Sequence, residues 1–581
     1  MSEMLQGGIT GTEAQSADTP HPETVARIAA RLANVTSDPA SLASVGADIQ
    51  TYGIGAFLHA VQQKVAADSQ ATPTVTADLT LSTDLLQQLG LRRGDEGVIR
   101  DTWTDYIGSR VAQPLRIFHP TTLGDLRSIL GQAAAEGCRV KAVGSGHSFT
   151  DVAITRDFLI ETHGLSQTLN LEHDLLRPGV HPETLFETEG GILVRDLNNA
   201  LWNAGLGLVN MGGYDGQTIA GVISTSTHGS GLTFGPLASQ VESLTLVAAN
   251  GKTYRIEPVG GITDPARWAA RHPETELKQD DDWFYACQVG IGCMGVVYSL
   301  ILRVRERYYL KEERTLSTWS QVRRDLQTGQ VLHDNRHYEV LVNPYQTNGD
   351  HTCLITRRNP VPEPAALPLV QPNRNFFVEL AASSPGVSDL LQTVFNLYPS
   401  VTPFIIDKAM AMIARDYIDR SYYVFNIGAA NNVPAYGSEI GFTMDQYQAA
   451  TERILDIAAR RQQAGQAYLT APFSLRFVKA SQAYMSMMYG ADTCMIEFPM
   501  LKNTIGGREL LQQIERDMYA FGGRPHWGLL NFLSGANNLI ATMYPMLPRW
   551  LAVYRQLNPN GLFDNAFTER CGFAAHGFTR P

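Results

Sequence analysis

Two glycine-rich turns carry residue types that can bind an anion. The first turn, GSGHS, covers residues 144–148 and follows a short apolar run, and the second, STSTHGSG, covers residues 224–231. Glycine permits positive φ angles and close approach to the backbone, and runs of free N–H groups in such turns form anion-binding concavities. Together the turns could hold a diphosphate and one edge of a planar cofactor, although an ordinary tight turn also explains each of them.

Neither turn has the spacing of a common nucleotide-binding loop. The turns are neither a GxGxxG motif that opens a helix nor a GxxxxGK[ST] loop. The usual Rossmann and P-loop predictions therefore fail for them.

The elements that must position these turns are short strands and capped helices. TTLGDLRSILGQAAAEGC, from residue 121, predicts a capped amphipathic helix, and RVKAVGSG predicts a strand that runs into the first turn. Further along, HYEVLVNP, SLRFVKA and CMIEFPML predict strands, and MDQYQAATERILDIAARRQQAG predicts a long helix. The proline-rich segment 360–372 predicts a loop.

Five motifs follow one another along the chain: VGSGHSFTDVAIT, GGYDGQTIAGVISTSTHGSG, VGIGCMGVVYSLILRV, RPHWG and LNPNGLFDNAF. In order and spacing they resemble the vanillyl-alcohol-oxidase (PCMH) type of FAD flavoprotein, and within it the sugar-lactone (D-arabinono-1,4-lactone and L-gulonolactone) and alditol oxidases. The resemblance covers about residues 100–573. It implies an α+β fold, in which a two-part α/β FAD-binding domain is joined to an antiparallel-sheet cap domain flanked by helices.

The expected domain boundaries follow from the same resemblance. Residues 1–100, with helical periodicity after a polar tail, are expected to form an N-terminal helical extension. The FAD-binding domain is expected at 101–310, the cap or substrate domain at 311–520, and the return to the FAD domain at 521–581.

The resemblance implies that His147 holds the cofactor covalently. In this family the histidine of GSGHS is bonded to the 8α-methyl carbon of the flavin; the alternative is a histidine that only caps the turn. Residues 210–216, where some relatives attach the flavin a second time, contain no cysteine, so a single link is expected. The positions expected to bind FAD are Gly144, Ser145, Gly146, His147, Ser148, Gly212, Gly213, Gly221, Ser224, Thr225, Thr227, His228, Gly229, Gly292, Val297, His526 and Asn565.

The expected catalytic residues depart from the family's pattern. A Glu-x-Arg strand faces the flavin in the lactone and alditol oxidases, and this chain has Ser474 and Arg476 there, on one face because they are two residues apart. We expect Glu497, on a neighbouring strand, to supply the missing carboxylate and to pair with Arg476, which would lower its pKa and keep it ionised. A structural ion pair is the alternative.

Two more residues complete the expected catalytic set. Glu339 is a second candidate base, although a glutamate on a solvated strand face explains it as well. His526 matches the histidine of the family's HW pair, which lies close to the flavin. His228 is expected to be a turn residue with a structural role near the cofactor.

The substrate expectation rests on polar positions that this chain lacks. Leu529 stands at the family's lysine, and Gly213 at a serine of the alditol enzymes. Because each buried hydroxyl needs a partner, their loss favours an alcohol larger or less polar than a sugar lactone. The apolar stretch 376–414 agrees with that, but a buried helix pair explains it equally.

The sequence therefore predicts an FAD-dependent oxidase that takes a hydride from a CH–OH group and passes the electrons to oxygen, giving hydrogen peroxide. Gly212 matches a family position beside the reactive edge of the flavin, and the resemblance implies that a glycine there favours reaction with oxygen. The alternatives are a dehydrogenase with another electron acceptor, and a flavin-binding or partner-binding module whose catalytic residues have decayed.

Composition limits the partners. The net charge of −11 argues against nucleic acid. The six scattered cysteines have no zinc spacing and fit a reduced compartment. With no basic leader and no run of about 18 apolar residues, we expect a soluble cytoplasmic protein without a membrane span, whose partners are a small-molecule alcohol and oxygen. The oligomeric state is left open.

Overall fold

The computed structural model describes residues 26–28, 30, 60, 102–368, 374, 387–427 and 434–574. The predicted N-terminal extension, 1–100, lies almost entirely outside the described residues. The chain forms two compact units, one of residues 1–76 with 381–401 and one of residues 77–380 with 402–581. In the first unit the helix Val387–Leu397 is followed by the short 3-10 turn Pro399–Val401. The predicted domain boundaries at 100, 310 and 520 stay predictions.

The strands of the second unit are numbered in chain order. They are β1 Trp103–Thr104, β2 Val111–Ala112, β3 Arg116–Phe118, β4 Val140–Val143, β5 Phe158–Glu161, β6 Thr168–Leu169, β7 Leu185–Glu189, β8 Leu206–Gly207, β9 Val241–Val247, β10 Thr253–Glu257, β11 Thr275–Gln279, β12 Val296–Arg303, β13 Arg305–Glu306, β14 Tyr309–Thr318, β15 His337–Thr347, β16 Asp350–Val361, β17 Tyr417–Arg420, β18 Ala435–Thr443, β19 Phe473–Val478, β20 Thr493–Leu501 and β21 Arg524–Pro525.

The α-helices of the same unit lie between these strands and after them. They are Leu123–Glu136, Val194–Asn203, Ile219–Ser224, Pro265–Arg271, Asp281–Gln288, Trp319–Gln327, Gln330–Asp334, Thr402–Met412, Ser421–Phe425, Tyr447–Gln463, Gly507–Met518, Leu539–Met543, Leu547–Leu557 and Ala566–Arg570.

Two sheets make up the α/β part of the fold. One is a three-stranded parallel sheet in the order β3-β5-β4, and the other has six strands in the order β11-β10-β9-β12-β7-β6. The helix predicted from residue 121 is confirmed. It begins after Thr122, whose side chain accepts the Asp125 N–H in a capping box, and it ends at Gly137 with a left-handed φ of 62°.

The predicted antiparallel cap sheet is confirmed. Eight strands pair in the order β17-β14-β16-β15-β19-β20-β18-β21, each antiparallel to its neighbours. The helix Tyr447–Gln463 packs on one face, where the rings of Tyr447 and Phe477 lie 5.5 Å apart. Because side chains alternate along a strand, Arg476 points to the other face, which is free to line a cavity.

The C-terminal segment returns to the parallel sheet. The Val140 N–H donates to the Leu562 carbonyl at 2.7 Å, so the last part of the chain contacts β4. Asn565 caps the helix Ala566–Arg570, and its Nδ2 donates to the carbonyl oxygens of Asp151, Val152 and Ile154. These contacts fix the segment that follows the first glycine turn.

Two further features bear on the predictions. Among the described residues, no helix combines the length and apolar character that crossing a bilayer requires. The described helix of the apolar stretch, Thr402–Met412, packs against β15, where Asn343 Nδ2 donates to the Pro403 carbonyl at 3.0 Å. This helix therefore serves packing of the sheet, as the buried-helix alternative predicted.

Candidate active site

Two adjoining cavities contain most of the predicted site residues. The loop cavity, about 140 Å³, is lined by the glycine–serine turn after β4, the helix Ile219–Ser224, the segment before and into β12, and the segment after β21. The sheet cavity, about 260 Å³, lies against the free face of the eight-stranded sheet. The cavities share His147, Gln217, Thr227, His526 and Leu529.

The predicted residues divide between the two cavities. The loop cavity is lined by Gly144, Ser145, Gly146, His147, Ser148, Gly221, Ser224, Thr225, Thr227, Gly292, Val297 and His526. The sheet cavity is lined by Gly212, Gly213, His228, Glu339, Ser474, Arg476 and Glu497, in addition to the shared His147, Thr227 and His526.

Two predicted cofactor contacts line neither cavity. Asn565 instead caps a helix and binds three carbonyl groups, as described above. Gly229 packs against Met211, since a Cβ at Gly229 would lie 2.3 Å from the Met211 carbonyl oxygen. Both residues support neighbouring loops, and their role as cofactor-binding positions stays a prediction.

The first glycine turn is shaped to receive an anionic group. A Cβ at Gly144 would lie 2.0 Å from Thr218 Oγ1, and Gly146 has a φ of 71°, so both positions favour glycine. Among the described residues, the backbone N–H groups of residues 145–148 donate to no protein acceptor. Such a set of free N–H groups fits the diphosphate of FAD.

His147 lies at the junction of the cavities with one ring nitrogen available. Its Nδ1 lies 3.1 Å from Ser145 Oγ, whereas its Nε2 is buried and has no hydrogen-bond partner in the described part of the chain. The ring stacks on Tyr106 at a centroid distance of 4.1 Å, and Tyr214 lies 4.8 Å away. Burial lowers the pKa of His147 to about 4, so the imidazole is neutral at physiological pH.

The free face of the eight-stranded sheet presents polar side chains in two neighbouring rows. Across one row, Leu341, Ser474, Glu497 and Glu439 lie opposite one another on β15, β19, β20 and β18. Directly opposite residues of antiparallel strands share a face, and their Cβ atoms are about 4.5–5.5 Å apart. This pairing brings together residues from four separate parts of the chain.

Arg476 lies in the next row of the sheet and contacts two carboxylates. Its Nη2 lies 3.0 Å from Glu497 Oε2, which agrees with the predicted pair, and its Nε donates to Glu339 Oε1 at 3.1 Å. The other oxygen of Glu339 accepts from Arg358 Nη1 at 3.1 Å. Glu339 is buried, so the alternative of a solvated strand face is wrong. Burial would raise its pKa, but Arg476 and Arg358 lower it to about 2.

The expectation that the pKa of Glu497 is lowered overall is wrong, although Arg476 acts in that direction. Burial raises this pKa most strongly, and the neighbouring Glu439 and Glu339 carboxylates add to the rise, against the opposing effect of Arg476. Sequence pattern indicates the ion pair but not the depth of burial or the second glutamate across the sheet.

The sequence analysis missed Glu439. It lies on β18 in YGSEIGF, opposite Glu497, and its Oε2 is 3.2 Å from His228 Nε2, so His228 is more than a turn residue. The available signal was a lone acid at an alternating position in an apolar strand. Two arginines that also line the sheet cavity, Arg314 and Arg374, were missed as well; both pair with the buried Glu312.

His526 lies on the border of both cavities. Its Nδ1 accepts the Gly528 N–H at 3.1 Å, which leaves the proton of the neutral ring on Nε2. Burial lowers the pKa of His526 to about 4. The adjacent Trp527 is fully buried and donates to the Met485 carbonyl at 2.7 Å, so it serves packing.

Comparisons with known proteins agree with this geometry. A family model described as D-arabinono-1,4-lactone oxidase matches residues 300–571, and a model described as FAD binding domain matches residues 114–257. The L-gulono-1,4-lactone dehydrogenase of Mycobacterium tuberculosis is 29% identical over 473 residues, which are 81% of this chain and 98% of that protein. The L-gulonolactone oxidase of Mus musculus is 24% identical over 483 residues, 82% of this chain and 99% of that protein.

A solved structure shows the same fold. The cholesterol oxidase from B. sterolicum superposes with a TM-score of 0.63 at 14% sequence identity, covering 81% of this chain and 96% of that chain. At this identity the similarity concerns the fold alone.

Proposed function

The chain belongs to the PCMH-type FAD flavoproteins, in the branch of the sugar-lactone oxidases, and from this membership we propose that it oxidises a CH–OH group of a polar small molecule with molecular oxygen as electron acceptor. The observation that carries the proposal is the junction of two cavities, one fitted to FAD and one lined by ionisable groups, at His147 and His526.

The residues of the loop cavity would hold FAD, which when bound accepts a hydride from the alcohol carbon and passes the electrons to oxygen to give hydrogen peroxide. The N–H groups of the first glycine turn would bind the diphosphate. In the sheet cavity, Arg476 holds Glu339 and Glu497 in fixed positions, and Ser474 Oγ, buried without a partner, is available to a substrate hydroxyl. A preorganised polar surface of this kind orients the alcohol.

We propose further that His147 carries the FAD covalently. A neutral imidazole with an unpartnered Nε2, held between Tyr106 and Tyr214, is a suitable nucleophile. A single link is proposed because none of the residues that line either cavity is a cysteine.

The covalent link is tested by acid precipitation of the purified protein. We expect yellow colour in the pellet of the wild type and in the supernatant of His147→Ala. His163→Ala, an exposed histidine elsewhere in the same domain, is the control and should behave as wild type. Release of all flavin from the wild type would reject the covalent link and leave the FAD assignment intact.

The proposed substrate is hydroxylated and of the size of a sugar lactone. The sheet cavity is lined by Arg476, Glu339, Glu439 and Glu497, and no described residue of 392–414 lines it. The larger or less polar alcohol suggested by the sequence is not supported by this lining or by the lactone enzymes among the relatives. The experiment is a peroxide assay with L-gulono-1,4-lactone and D-arabinono-1,4-lactone under air.

A dehydrogenase is the second candidate, because the Mycobacterium tuberculosis relative bears that name. Stopped-flow mixing of the reduced enzyme with air-saturated buffer separates the two activities. Rapid reoxidation with release of peroxide supports the oxidase. Flavin that stays reduced in air but is reoxidised by a dye acceptor supports the dehydrogenase.

A further inference from the structure

A buried pair between His228 and Glu439 borders the sheet cavity. His228 Nε2 lies 3.2 Å from Glu439 Oε2, and the two side chains are 2% and 3% exposed. His228 comes from the second glycine turn and Glu439 from β18, and both line the cavity that receives the substrate in the proposed function. The pair therefore connects the two parts of the site.

The hydrogen bonds of His228 define how many protons the pair holds. Nδ1 lies 2.8 Å from the Gly229 carbonyl oxygen, which can only accept, so Nδ1 carries a proton. Nε2 faces a carboxylate oxygen, and one more proton must lie between these two atoms. Burial would raise the pKa of Glu439, but the charge and hydrogen bond of His228 lower it to about 2. Glu439 beside His228 is therefore ionised.

The second oxygen of Glu439 has no partner. Glu439 Oε1 is buried and, among the described residues, no donor lies within hydrogen-bond distance of it. A buried acceptor of this kind is costly unless a ligand supplies the donor. The hydroxyl of a bound alcohol is such a donor, and Ser474 Oγ in the same row is also unpartnered.

We propose that Glu439 Oε1 accepts the hydroxyl proton of the substrate, and that His228 is the positioning residue that keeps Glu439 ionised. This rests on the proposed function. The O–H bond breaks and its proton goes to Oε1 while the carbon–oxygen double bond forms. The hydrogen on the carbon would leave as a hydride with both electrons of the C–H bond, and bound FAD would supply the acceptor for it.

The other carboxylates of the cavity are less suited to this role. Both oxygens of Glu339 are held by Arg476 and Arg358. One oxygen of Glu497 contacts Arg476, and burial raises its pKa, whereas the pKa of Glu439 is lowered by His228. Opposed pKa shifts in two neighbouring carboxyl groups are the arrangement in which one acts as acid and the other as base.

The test is anaerobic reduction of the holoenzyme by L-gulono-1,4-lactone or D-arabinono-1,4-lactone in a stopped-flow instrument. For Glu439→Gln we expect the limiting reduction rate to fall on the order of 100-fold, with the lactone Kd changed by less than about threefold. Glu497→Gln is the matched comparison on the opposite strand and is expected to lose less than about tenfold. Flavin content and circular dichroism establish that each variant is folded.

His228→Ala adds a second measurement, the pH dependence of the reduction rate. A purely structural role of His228 would leave this dependence unchanged. The charged and titratable groups that face Glu439 are His228, His526, Arg476 and Glu497. Without His228, the raising effect of burial is opposed by His526 and Arg476 alone among the groups named above, so the pKa of Glu439 rises. We therefore expect the reduction rate of His228→Ala to fall as the pH is lowered. The pH profile of the wild-type reduction rate should lack this decrease.

The outcomes separate the inference from the function on which it rests. If wild type is reduced and Glu439→Gln is reduced equally fast, the role of Glu439 is rejected and the oxidase stands. If no CH–OH compound reduces the wild-type flavin, both fail. If Glu439→Gln does not fold, the pH profile of His228→Ala decides, because an unchanged profile overturns the proposal.

Discussion

At the scale of single residues, Arg476 holds the polar face of the sheet cavity together. Its guanidinium spans two glutamates with one nitrogen for each, a geometry that the single ammonium of lysine does not reproduce. Its side chain is only 16% exposed, so the solvent screens these pairs weakly.

Removing this guanidinium should destabilise the protein. We expect Arg476→Met to lower the free energy of unfolding by about 3 kcal/mol because two mostly buried carboxylates lose their partner, and Arg476→Lys to lower it less. Urea unfolding monitored by circular dichroism measures the change. Arg323→Met is the control, since its ion pair with Glu452 is about half exposed and should be worth less than about 1 kcal/mol.

Gly212 is the residue at which oxygen reactivity can be tested. A Cβ there would lie 3.2 Å from the His228 carbonyl oxygen and 3.5 Å from Thr227 Cγ2, so alanine needs only a small adjustment. For Gly212→Ala we expect reoxidation of the photoreduced enzyme by air to slow by about tenfold, or 1.4 kcal/mol of barrier. Gly213→Ala, which would meet Ile427 at 3.3 Å, is the matched control. Equal rates in both variants and wild type would contradict the role of Gly212.

At the scale of elements, several strands could be predicted from the sequence. Alternation and β-branched residues predicted β15, β19 and β20 and placed Glu339, Arg476 and Glu497 on strands, as the structure shows. Local sequence patterns do not determine the order in which distant strands pair. Glu439 on β18 was missed for that reason, and the pKa of Glu497, which depends on burial and on Glu439, was predicted in the wrong direction.

Asn565 connects two elements, and two substitutions test whether its role is structural. Asp can still accept the Thr568 N–H as a helix cap, but it cannot donate to the three carbonyl groups that Asn565 Nδ2 contacts. We expect Asn565→Asp and Asn565→Ala both to lower the melting temperature, with an acid-precipitated flavin content equal to wild type. A flavin content below that of wild type in these variants would instead support the original prediction that Asn565 contacts the cofactor.

The helix Gly507–Met518 carries a buried carboxyl group that should make stability depend on pH. Burial raises the pKa of Glu515 to about 7, above the value of about 4.3 in an unfolded chain. The fold therefore favours the neutral form, and this contribution is complete below about pH 4 and is lost as pH rises through 7.

Glu515→Gln removes this titration. The amide oxygen can still accept the Phe532 N–H, which lies 2.9 Å from Glu515 Oε1. Relative to wild type, we expect the variant to gain up to about 3 kcal/mol of stability between pH 5 and pH 8. Thermal unfolding at several pH values provides the measurement, and Glu509→Gln, exposed on the same helix, should show no such trend.

At the scale of the whole molecule, the loop cavity is assembled from four separate stretches of the chain. These are the turn after β4, the segment around Ile219–Ser224, the approach to β12 and the residues after β21. A cofactor bound there links all four stretches in the native state only, so binding should stabilise the fold by mass action.

This linkage distinguishes covalent from reversible binding without an activity assay. In His147→Ala we expect added FAD to raise the melting temperature. The free energy of unfolding should rise by about 2.7 kcal/mol when the free FAD concentration is 100 times its Kd. Wild type with covalent FAD should show no dependence on added FAD. A concentration dependence in fully loaded wild type would count against the link.

One wall of the loop cavity is formed by His526, Gly528 and Leu529, which lie late in the chain. Their late synthesis determines when the cavity can form. The ribosome produces the glycine–serine turn of residues 144–148 long before this wall, and later still the Asn565 amide that fixes the loop beside the turn. A nascent chain at that stage has His147 but not the enclosure. Under the proposal that His147 carries the FAD covalently, capture of the flavin must wait until translation has passed the last of these residues.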